Sequence, residues 1–404
     1  MCKIAIIGGG ASGLVCAIEA LKNKNEVIIF DKEEKAAKKI LVTGNGRCNY
    51  FNEDMSLDHF HSTSVNMNKY IDKDLLKEVI SFFESIGIVP KIKNGYYYPN
   101  SNQASSIREA LLIEVKRLKG QILTNREVID IKKDKDKYLV KTNAGEILFD
   151  KVVLATGTHA GLKTKTNGYD LAKKFNHTIV DVLPSLVQLQ AKEKFLNAWS
   201  GIRSDVCIHL YEDGNLIKEE TGEIQLTNYG ISGICVFNLS SFVSRGLLNK
   251  KQEHVIIDFL PSIKVDSIND FIEWINKRND SLVDRSVFEL FEGILNNKLV
   301  SVILKRSKIQ KEKRWYNLTV EEKRNLAKNI KFFPLDITGV NPYSKAQVCS
   351  GGVTLEEIDY NNFESKLAKG LYIIGEMLDI DGDCGGYNLT FAWISGMKCG
   401  RSLW

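Results

Sequence analysis

The sequence lacks the features that mark membrane-spanning, disulfide-rich and zinc-binding proteins. No stretch approaches the roughly 20 apolar residues that a membrane helix needs, and three consecutive glycines interrupt the apolar segment 4–18, which does not suit a signal peptide. The eight cysteines are scattered, with no Cys-x-x-Cys pair and no histidines at zinc-ligand spacing. We therefore expect no structural metal, no membrane partner and a cytoplasmic location, where thiols stay reduced.

The composition is that of a folded globular protein. Hydrophobic residues make up 44% of the chain and charged residues 26%, which are ordinary values. A net charge of +5 over 404 residues is too small to predict a polyanionic partner. At about 150 residues per domain, this length allows roughly two or three domains.

The first 31 residues have the pattern of a strand, a glycine turn, an amphipathic helix and a second strand. Gly8-x-Gly10-x-x-Gly13 falls between the first strand and the helix, the context in which this pattern predicts a dinucleotide site. The first glycine allows a tight turn, the second lets the backbone approach a pyrophosphate, and the third lets the helix pack on the strand. The residues predicted to contact the nucleotide here are Gly8, Gly10, Ala11, Ser12, Gly13, Asp31 and Lys32.

Asp31 ends the second strand, where an acidic side chain accepts a hydrogen bond from a ribose hydroxyl. This favours FAD or NAD over NADP but does not separate the first two. A second strand that ends in glycine, 152–157, closes with Ala155-Thr156-Gly157. This turn resembles one that flavoproteins of the glutathione-reductase-like group place beside FAD, although many strands end in Thr-Gly. No second Gly-x-Gly-x-x-Gly follows it, so a separate nicotinamide-binding domain is not predicted.

The remaining patterns predict a nucleotide-binding domain with an insert. Strand-like segments between 120 and 150, with a turn at 143–145, indicate a three-stranded antiparallel meander. From residue 189 the sequence pattern changes to short strand-like segments followed by helical segments, one of which is predicted over 281–296. We expect an α/β fold: a Rossmann-type FAD-binding domain, with a parallel sheet and a small antiparallel meander, and an inserted β-rich and helical domain. The predicted bounds are 1–188 and 332–404 for the first domain and 189–331 for the insert.

Three further blocks identify a family. The segment 39–49 (KILVTGNGRCN) resembles the K-x-x-x-S/T-G-x-G-R-C-N signature of the BaiN/YhiN-like, or aminoacetone-oxidase-family, FAD-binding flavoproteins. The segment 225–233 (QLTNYGISG) is similar to that family's F-T-H-x-G-L-S-G block, and 375–388 (GEMLDIDGDCGGYN) to its G-E-x-L-D-x-D-G-x-x-G-G-Y-N motif. These blocks lie near both ends and in the middle of the chain, so the resemblance is essentially full length.

The resemblance implies where FAD binds. The start of the last helix would face the pyrimidine edge of the flavin, Asp383 or Glu376 would bond to the ribityl chain or phosphates, and Val128 would contact adenine through its backbone. Arg47 would lie against the flavin or an anionic substrate group. The cofactor-binding residues implied by the resemblance are Lys39, Ile40, Arg47, Cys48, Asn49, Val128, Ala155, Thr156, Gly157, Gly375, Glu376, Asp383, Gly386, Tyr387 and Asn388.

Two departures from the family pattern affect the chemistry. Asn228 stands where the family has histidine, which removes the most obvious acid or base and leaves the catalytic residues unassigned. Cys384 replaces a small residue, and we expect an inert thiol because no second cysteine stands nearby in the sequence.

We therefore expect an FAD-dependent oxidoreductase with a small organic substrate. Reduction of an activated C=C bond, with NADH or NADPH as transient donor, and amine oxidation are both open, as is a plain NAD-dependent dehydrogenase. The basic segment 305–331 raises a further alternative, an RNA-associated flavoprotein. A solvated helical face explains that segment more simply, so a nucleic-acid partner is not expected. The oligomeric state is not predicted.

Overall fold

The computed structural model describes residues 1–161, 166–282 and 284–404. The chain forms two compact units, one of Met1–Leu183 with Val348–Trp404 and one of Pro184–Gln347. Among the described helices, none has the length and the apolar character needed to cross a membrane.

The strands of the chain before the insert are β1 Lys3–Ile7, β2 Glu26–Phe30, β3 Phe51–Asn52, β4 Phe60–His61, β5 Pro90–Lys93, β6 Tyr96–Pro99, β7 Gln121–Leu123, β8 Val128–Asp134, β9 Lys137–Thr142, β10 Gly145–Phe149, β11 Lys151–Leu154 and β12 Ile179–Ser185. The later strands are β13 Leu189–Ala191, β14 Arg203–Glu212, β15 Asn215–Leu226, β16 Gly230–Ser232, β17 Glu253–Asp258, β18 Phe333–Val340, β19 Val348–Val353, β20 Leu371–Ile373 and β21 Asp381–Gly382. The helices are α1 Ala11–Lys22, α2 Lys73–Ser85, α3 Ala104–Arg117, α4 Gly168–Lys173, α5 Leu196–Trp199, α6 Ile234–Leu248, α7 Ile268–Asp280, α8 Val287–Leu290, α9 Asn297–Arg306, α10 Val320–Lys331 and α11 Tyr387–Ser402.

The first unit is built on a five-stranded parallel sheet in the order β20-β11-β1-β2-β7. Its inner strands are continuous apolar runs because helices cover both faces of such a sheet, and Ile4, Ile6 and Ile29 are fully buried. Helix α11 packs closely on α1: a Cβ atom at Gly400 would lie 2.5 Å from the carbonyl oxygen of Cys16. The predicted Rossmann-type fold is confirmed.

The predicted antiparallel meander is also present, as the sheet β10-β9-β8. The turn between β9 and β10 holds because the amide of Ala144 donates to the Thr142 hydroxyl, and that hydroxyl donates to the carbonyl of Gly145. The preceding strand, β7, joins the parallel sheet instead of the meander.

The second unit contains a closed six-stranded barrel in the order β13-β16-β15-β14-β17-β18. Strand β14 alternates buried Val206, Ile208 and Leu210 with more exposed residues, as a strand with one face in a core does. The last barrel strand, β18, lies beyond residue 331, where the sequence analysis ended the insert. The second unit therefore extends to Gln347, since β18 pairs with both β17 and β13 to close the barrel.

Two local expectations for the insert were wrong. The helix predicted over 281–296 is interrupted: Ser286 and Glu289 form a capping box that starts the four-residue α8, and Gly293 adopts a φ of +75°. Residue 283 of that prediction lies outside the described residues. The basic segment 305–331 is not one solvated helical face either. It begins in the last two residues of α9, which ends at Arg306, and its second helix, α10, begins only at Val320. The Lys331 ammonium is buried, 2.6 Å from the Asp258 carboxylate.

Candidate functional site

The glycine loop between β1 and α1 is shaped by two steric requirements and leaves one opening. Gly8 has a φ of +111°, and a Cβ atom there would lie 2.2 Å from the carbonyl oxygen of Ala155. A Cβ atom at Gly13 would lie 2.0 Å from the carbonyl oxygen of Gly8. At Gly10, by contrast, a Cβ atom would meet no described atom within 4 Å. The chain therefore needs glycine at 8 and 13 for its own packing, whereas Gly10 borders open space.

The N-terminus of α1 faces this opening without a side-chain cap. Gly10 is the N-cap residue and Ala11 begins the helix. The first amides of a helix carry partial positive charge, so an uncapped start beside open space suits an anion such as a phosphate. This is the arrangement that the glycine spacing predicted.

Asp31 is fixed toward the same loop. Its Oδ2 atom accepts a hydrogen bond from the Gly9 amide at 3.2 Å, and its Oδ1 atom accepts one from the Glu33 amide at 2.9 Å. Burial raises the pKa of Asp31 despite these bonds. The neighbouring Lys32 is half-buried. These two bonds fix the orientation of the carboxylate directly after the end of β2.

Val128, the expected adenine contact, begins β8 and is buried. Its carbonyl oxygen accepts a hydrogen bond from Asn167 Nδ2 at 2.7 Å. The Arg126 amide, two residues earlier, donates to the carbonyl of Asp31 at 2.8 Å. The structure thus brings Val128 near the end of β2, but its carbonyl is already engaged within the protein.

The C-terminal segment meets the glycine loop at Gly375. This residue has a φ of +66°, and a Cβ atom there would lie 2.4 Å from the Ser12 hydroxyl oxygen. The next residue, Glu376, forms an ion pair with Lys39 at 2.7 Å. A Cβ atom at Gly157 would lie 3.7 Å from a carboxylate oxygen of Glu376. The segments around Ser12, Lys39, Gly157 and Gly375, all predicted from the sequence, therefore converge at the carboxyl ends of the parallel strands.

The Thr156 side chain has a structural place in this turn. Its hydroxyl donates to the Met377 sulfur at 3.2 Å. A Cβ atom at Gly168, the first residue of α4, would lie 1.8 Å from the same hydroxyl oxygen. The Ala155-Thr156-Gly157 turn therefore packs against α4, and Ala155 is itself buried.

The segment 38–49 forms short 3₁₀ turns broken by left-handed residues at Gly44, Asn45 and Cys48. Ile40 and Cys48 are buried, and burial raises the pKa of the Cys48 thiol to about 12. Arg47 is exposed, with its guanidinium 5.3 Å from the centre of the Tyr98 ring. The Cys48 thiol is therefore uncharged, and Arg47 lies at the surface of this segment.

Asn49 supplies an unsatisfied acceptor. Its Oδ1 atom is buried and has no hydrogen-bond partner among the described residues. A Cβ atom at Gly386 would lie 3.3 Å from this oxygen. Buried polar atoms are nearly always hydrogen-bonded, so an orphaned acceptor indicates a place for a donor from a bound group.

The start of α11 is held open by its neighbours. Gly386, with a φ of +99°, is its N-cap residue and makes no side-chain cap. The Asn388 side chain forms two hydrogen bonds with β21: its Oδ1 accepts from the Gly382 amide at 2.9 Å, and its Nδ2 donates to the Gly382 carbonyl at 2.7 Å. Burial raises the pKa of Cys384 to about 11, so this thiol stays protonated. The Asn49 Oδ1 atom and the uncapped N-terminus of α11 therefore lie next to each other.

A histidine pair beside this helix was missed by the sequence analysis. Strands β4 and β21 are antiparallel, with Asp381 opposite His61. His59 Nδ1 lies 3.0 Å from Asp383 Oδ2, and His61 Nε2 lies 2.9 Å from Asp383 Oδ1. Both carboxylate oxygens of Asp383 are therefore engaged by imidazoles, which differs from the expected contact with a ribityl chain. The available signal was weak: two histidines stand close together in the sequence, but His59 ends a short 3₁₀ turn and only His61 lies in β4.

The electrostatics of His59 favour the charged ring. Its Nε2 atom lies 3.2 Å from Asp54 Oδ2, and its ring stacks on Tyr387 with centroids 4.4 Å apart. Burial disfavours the imidazolium, but the hydrogen bonds to Asp383 and Asp54 outweigh it and raise the pKa of His59.

The middle block, 225–233, belongs to the barrel of the second unit. A Cβ atom at Gly230 would lie 2.2 Å from the Leu189 carbonyl oxygen, and one at Gly233 would lie 2.4 Å from the Glu223 carbonyl oxygen. The Trp199 indole donates to the Thr227 carbonyl at 3.0 Å. Barrel packing thus accounts for the glycines of this block.

Comparisons with known proteins cover the whole chain. The family model described as HI0933-like protein Rossmann domain matches residues 2–402. The chain is 36% identical to the 3-dehydro-bile acid delta(4,6)-reductase of Clostridium scindens, covering 100% of this chain and 99% of the relative. It is 29% identical to the ribosomal RNA dihydrouridine synthase of Haemophilus influenzae, covering 98% and 97%.

Among solved structures, the chain is similar to 3-ketosteroid-delta4-(5alpha)-dehydrogenase from Rhodococcus jostii RHA1. The TM-score is 0.49 and the identity 12%, covering 100% of this chain and 96% of that one. The family match extends over nearly every residue, and it agrees with the three blocks that identified the family from sequence. The chain belongs to the HI0933-like Rossmann family and is, as predicted, an FAD-dependent oxidoreductase.

Proposed function

We propose that the glycine loop and Asp31 hold the ADP part of FAD and that the start of α11 holds the flavin ring. Open space at Gly10 beside an uncapped helix suits the pyrophosphate. The orphaned Oδ1 of Asn49 and the uncapped amides after Gly386 suit the pyrimidine edge, which carries both a donor and acceptors. FAD supplies hydride transfer when bound, and the helix N-terminus would stabilise negative charge on the reduced ring.

The reaction we propose is reduction of a C=C bond conjugated to a carbonyl group, in a small organic molecule. The observation that carries this proposal is the 36% identity, over both full lengths, to a relative named as a bile acid delta(4,6)-reductase. The other relative's name, dihydrouridine synthase, also describes saturation of a carbonyl-conjugated C=C bond. The names of two relatives with different substrates thus describe reduction of the same type of double bond.

NADH or NADPH is the proposed electron donor. The sequence has a single Gly-x-Gly-x-x-Gly motif, at 8–13, which we assign to FAD. A nicotinamide donor would therefore bind transiently, without a Rossmann domain of its own.

The experiment is anaerobic and uses the purified flavoprotein. The bound flavin is reduced with NADH or NADPH and then mixed with a 3-oxo-4-ene steroid acid, with the saturated 3-oxo acid as matched control. Return of the oxidised flavin spectrum with the enone only is the expected result. Reduction of the flavin by primary amines, without reoxidation by any enone, would instead support an amine oxidase.

RNA is a second candidate substrate, because the similarity to the ribosomal RNA dihydrouridine synthase is also full length. Several cations of the basic segment are exposed: Lys305, Arg306, Lys308, Lys311, Arg314, Arg324 and Lys328. If RNA is the substrate, its binding weakens steeply with salt through counterion release. Replacing Lys305, Arg306, Lys311 and Arg314 by glutamine would then reduce RNA binding without affecting reoxidation by a free enone.

A further inference from the structure

The cluster of His59, His61 and Asp383 adjoins the proposed flavin site, and no residue has yet been assigned to supply a proton there. The Asp383 amide donates to the His59 carbonyl at 2.9 Å, which ties the residue before β4 to the residue after β21. The His59 ring lies against Tyr387, the first residue of α11. The cluster is therefore part of the same backbone framework as the helix start.

The partners of His59 determine its protonation. Each ring nitrogen lies within hydrogen-bond distance of a carboxylate oxygen, Nδ1 of Asp383 and Nε2 of Asp54. An ionised carboxylate accepts hydrogen bonds and does not donate them. Both bonds form together only when both ring nitrogens carry protons, so this geometry selects the imidazolium.

The two nitrogens of His59 differ in accessibility. The Asp383 side chain is 6% exposed, so it anchors Nδ1 from the protein interior. The Asp54 side chain is 68% exposed and the His59 side chain 30%. Asp54 also accepts a hydrogen bond from the Ser56 amide at 3.0 Å, and both of its bonds lie at the exposed surface. A substrate group therefore reaches the Nε2 proton by displacing an exposed carboxylate, while Asp383 stays in place.

The other titratable groups around His59 do not compete at neutral pH. Burial raises the pKa of Tyr387, and burial together with Asp383 raises the pKa of Cys384 to about 11. Both groups stay neutral. The His61 side chain is 21% exposed, and its Nε2 atom bonds to Asp383. In His61 the Nε2 atom therefore points at the buried carboxylate, whereas in His59 the Nε2 atom points toward the exposed Asp54.

We infer that the His59 imidazolium, oriented by Asp383, donates the proton that completes reduction of the substrate double bond. This inference rests on the proposed function. The C=C π bond breaks as the β-carbon gains a hydride, with its electron pair, from the reduced cofactor. The α-carbon gains the Nε2 proton, so the substrate is reduced by two electrons and the cofactor is oxidised. His59 is left neutral and regains a proton from solvent.

The test compares wild-type holoenzyme with His59→Gln and His61→Gln, each of which removes one of the two imidazoles that bond to Asp383. The flavin is reduced anaerobically with dithionite and mixed with the 3-oxo-4-ene steroid acid, and reoxidation is followed over a pH series. General acids contribute about 10²- to 10⁴-fold, so His59→Gln is expected to slow reoxidation by about that factor. The wild-type rate falls as pH rises through the His59 pKa, and the variant loses this dependence. His61→Gln slows reoxidation by less than about tenfold.

A readout without turnover accompanies the kinetics. Nitrogen NMR of the ¹⁵N-histidine-labelled holoenzyme is expected to show both His59 nitrogens protonated at neutral pH. In Asp383→Asn, which removes the anchoring charge, His59 becomes neutral at lower pH. Unchanged FAD content and unfolding temperature in the variants exclude a folding defect.

Three results would overturn the inference: reoxidation of His59→Gln within about threefold of wild type, a larger loss in His61→Gln, or a neutral His59 ring in wild type at neutral pH. If no enone reoxidises the reduced wild-type enzyme, the proposed function fails and the role of His59 fails with it. If the wild type is reoxidised but His59→Gln is unaffected, only the role of His59 is wrong.

Discussion

Replacing Gly10 by valine should weaken FAD binding strongly without unfolding the protein. Gly10 has a φ of −86°, which any residue adopts, and a Cβ atom there meets no described atom within 4 Å. Its cost to the cofactor-free protein is the poorer helix N-cap, about 1 kcal/mol. The added methyl groups instead fill the space proposed for the pyrophosphate. Overpacking of this kind costs about 1–3 kcal/mol, or roughly 5- to 150-fold in FAD affinity.

The assay is urea unfolding with and without FAD. At a FAD concentration of about 100 times the wild-type dissociation constant, ligand binding stabilises the wild type by about 2.7 kcal/mol, whereas a variant of 100-fold lower affinity gains only about 0.4 kcal/mol. Gly13→Val is the matched contrast, because its Cβ atom would clash with the Gly8 carbonyl at 2.0 Å and destabilise even the cofactor-free protein. Full FAD affinity in Gly10→Val would refute this placement of the pyrophosphate.

Two further changes test the packing of each unit. The Glu253 carboxylate is buried without a hydrogen-bond partner among the described residues, and burial, with Glu212 nearby, raises its pKa to about 7. Because the folded pKa exceeds the unfolded one, the stability contributed by Glu253 is complete below the unfolded pKa and is lost as pH rises through about 7. In urea titrations, Glu253→Gln should therefore stabilise the protein by about 2 kcal/mol near pH 9 and have little effect near pH 5. Equal effects at both pH values would contradict this reasoning. Gly400→Val places a Cβ atom 2.5 Å from the Cys16 carbonyl oxygen. Thermal unfolding should therefore show that the free energy of unfolding falls by about 3 kcal/mol or more. An unchanged unfolding temperature would contradict the close contact between α1 and α11.

The parts of the fold that depend on local sequence were predictable. The roles of Gly8, Gly10 and Gly13 follow from a turn between one strand and one helix, and the structure reproduces the tight turn, the opening and the close helix contact. The meander was predictable because its strands are consecutive and its turn is short.

The parts that depend on distant pairing were not predictable in the same way. Asp383 meets His59 across 324 residues, through a two-residue strand pair that has no periodic signal of its own. The end of the insert was missed for a similar reason, since β18 belongs to the barrel only through its pairing with β17 and β13. The apolar spacing over 281–296 predicted one helix, but the capping box at Ser286 starts a new and shorter one.

The most direct test of the central claim is reduction of a conjugated double bond in D₂O. The holoenzyme is reduced anaerobically with NADH or NADPH and mixed with the 3-oxo-4-ene steroid acid, and the product is analysed by mass spectrometry and NMR. We expect return of the oxidised flavin spectrum and a saturated product that carries deuterium from solvent at the α-carbon. A flavin that stays reduced in the presence of this enone, of other carbonyl-conjugated alkenes and of uridine-containing RNA would contradict the account.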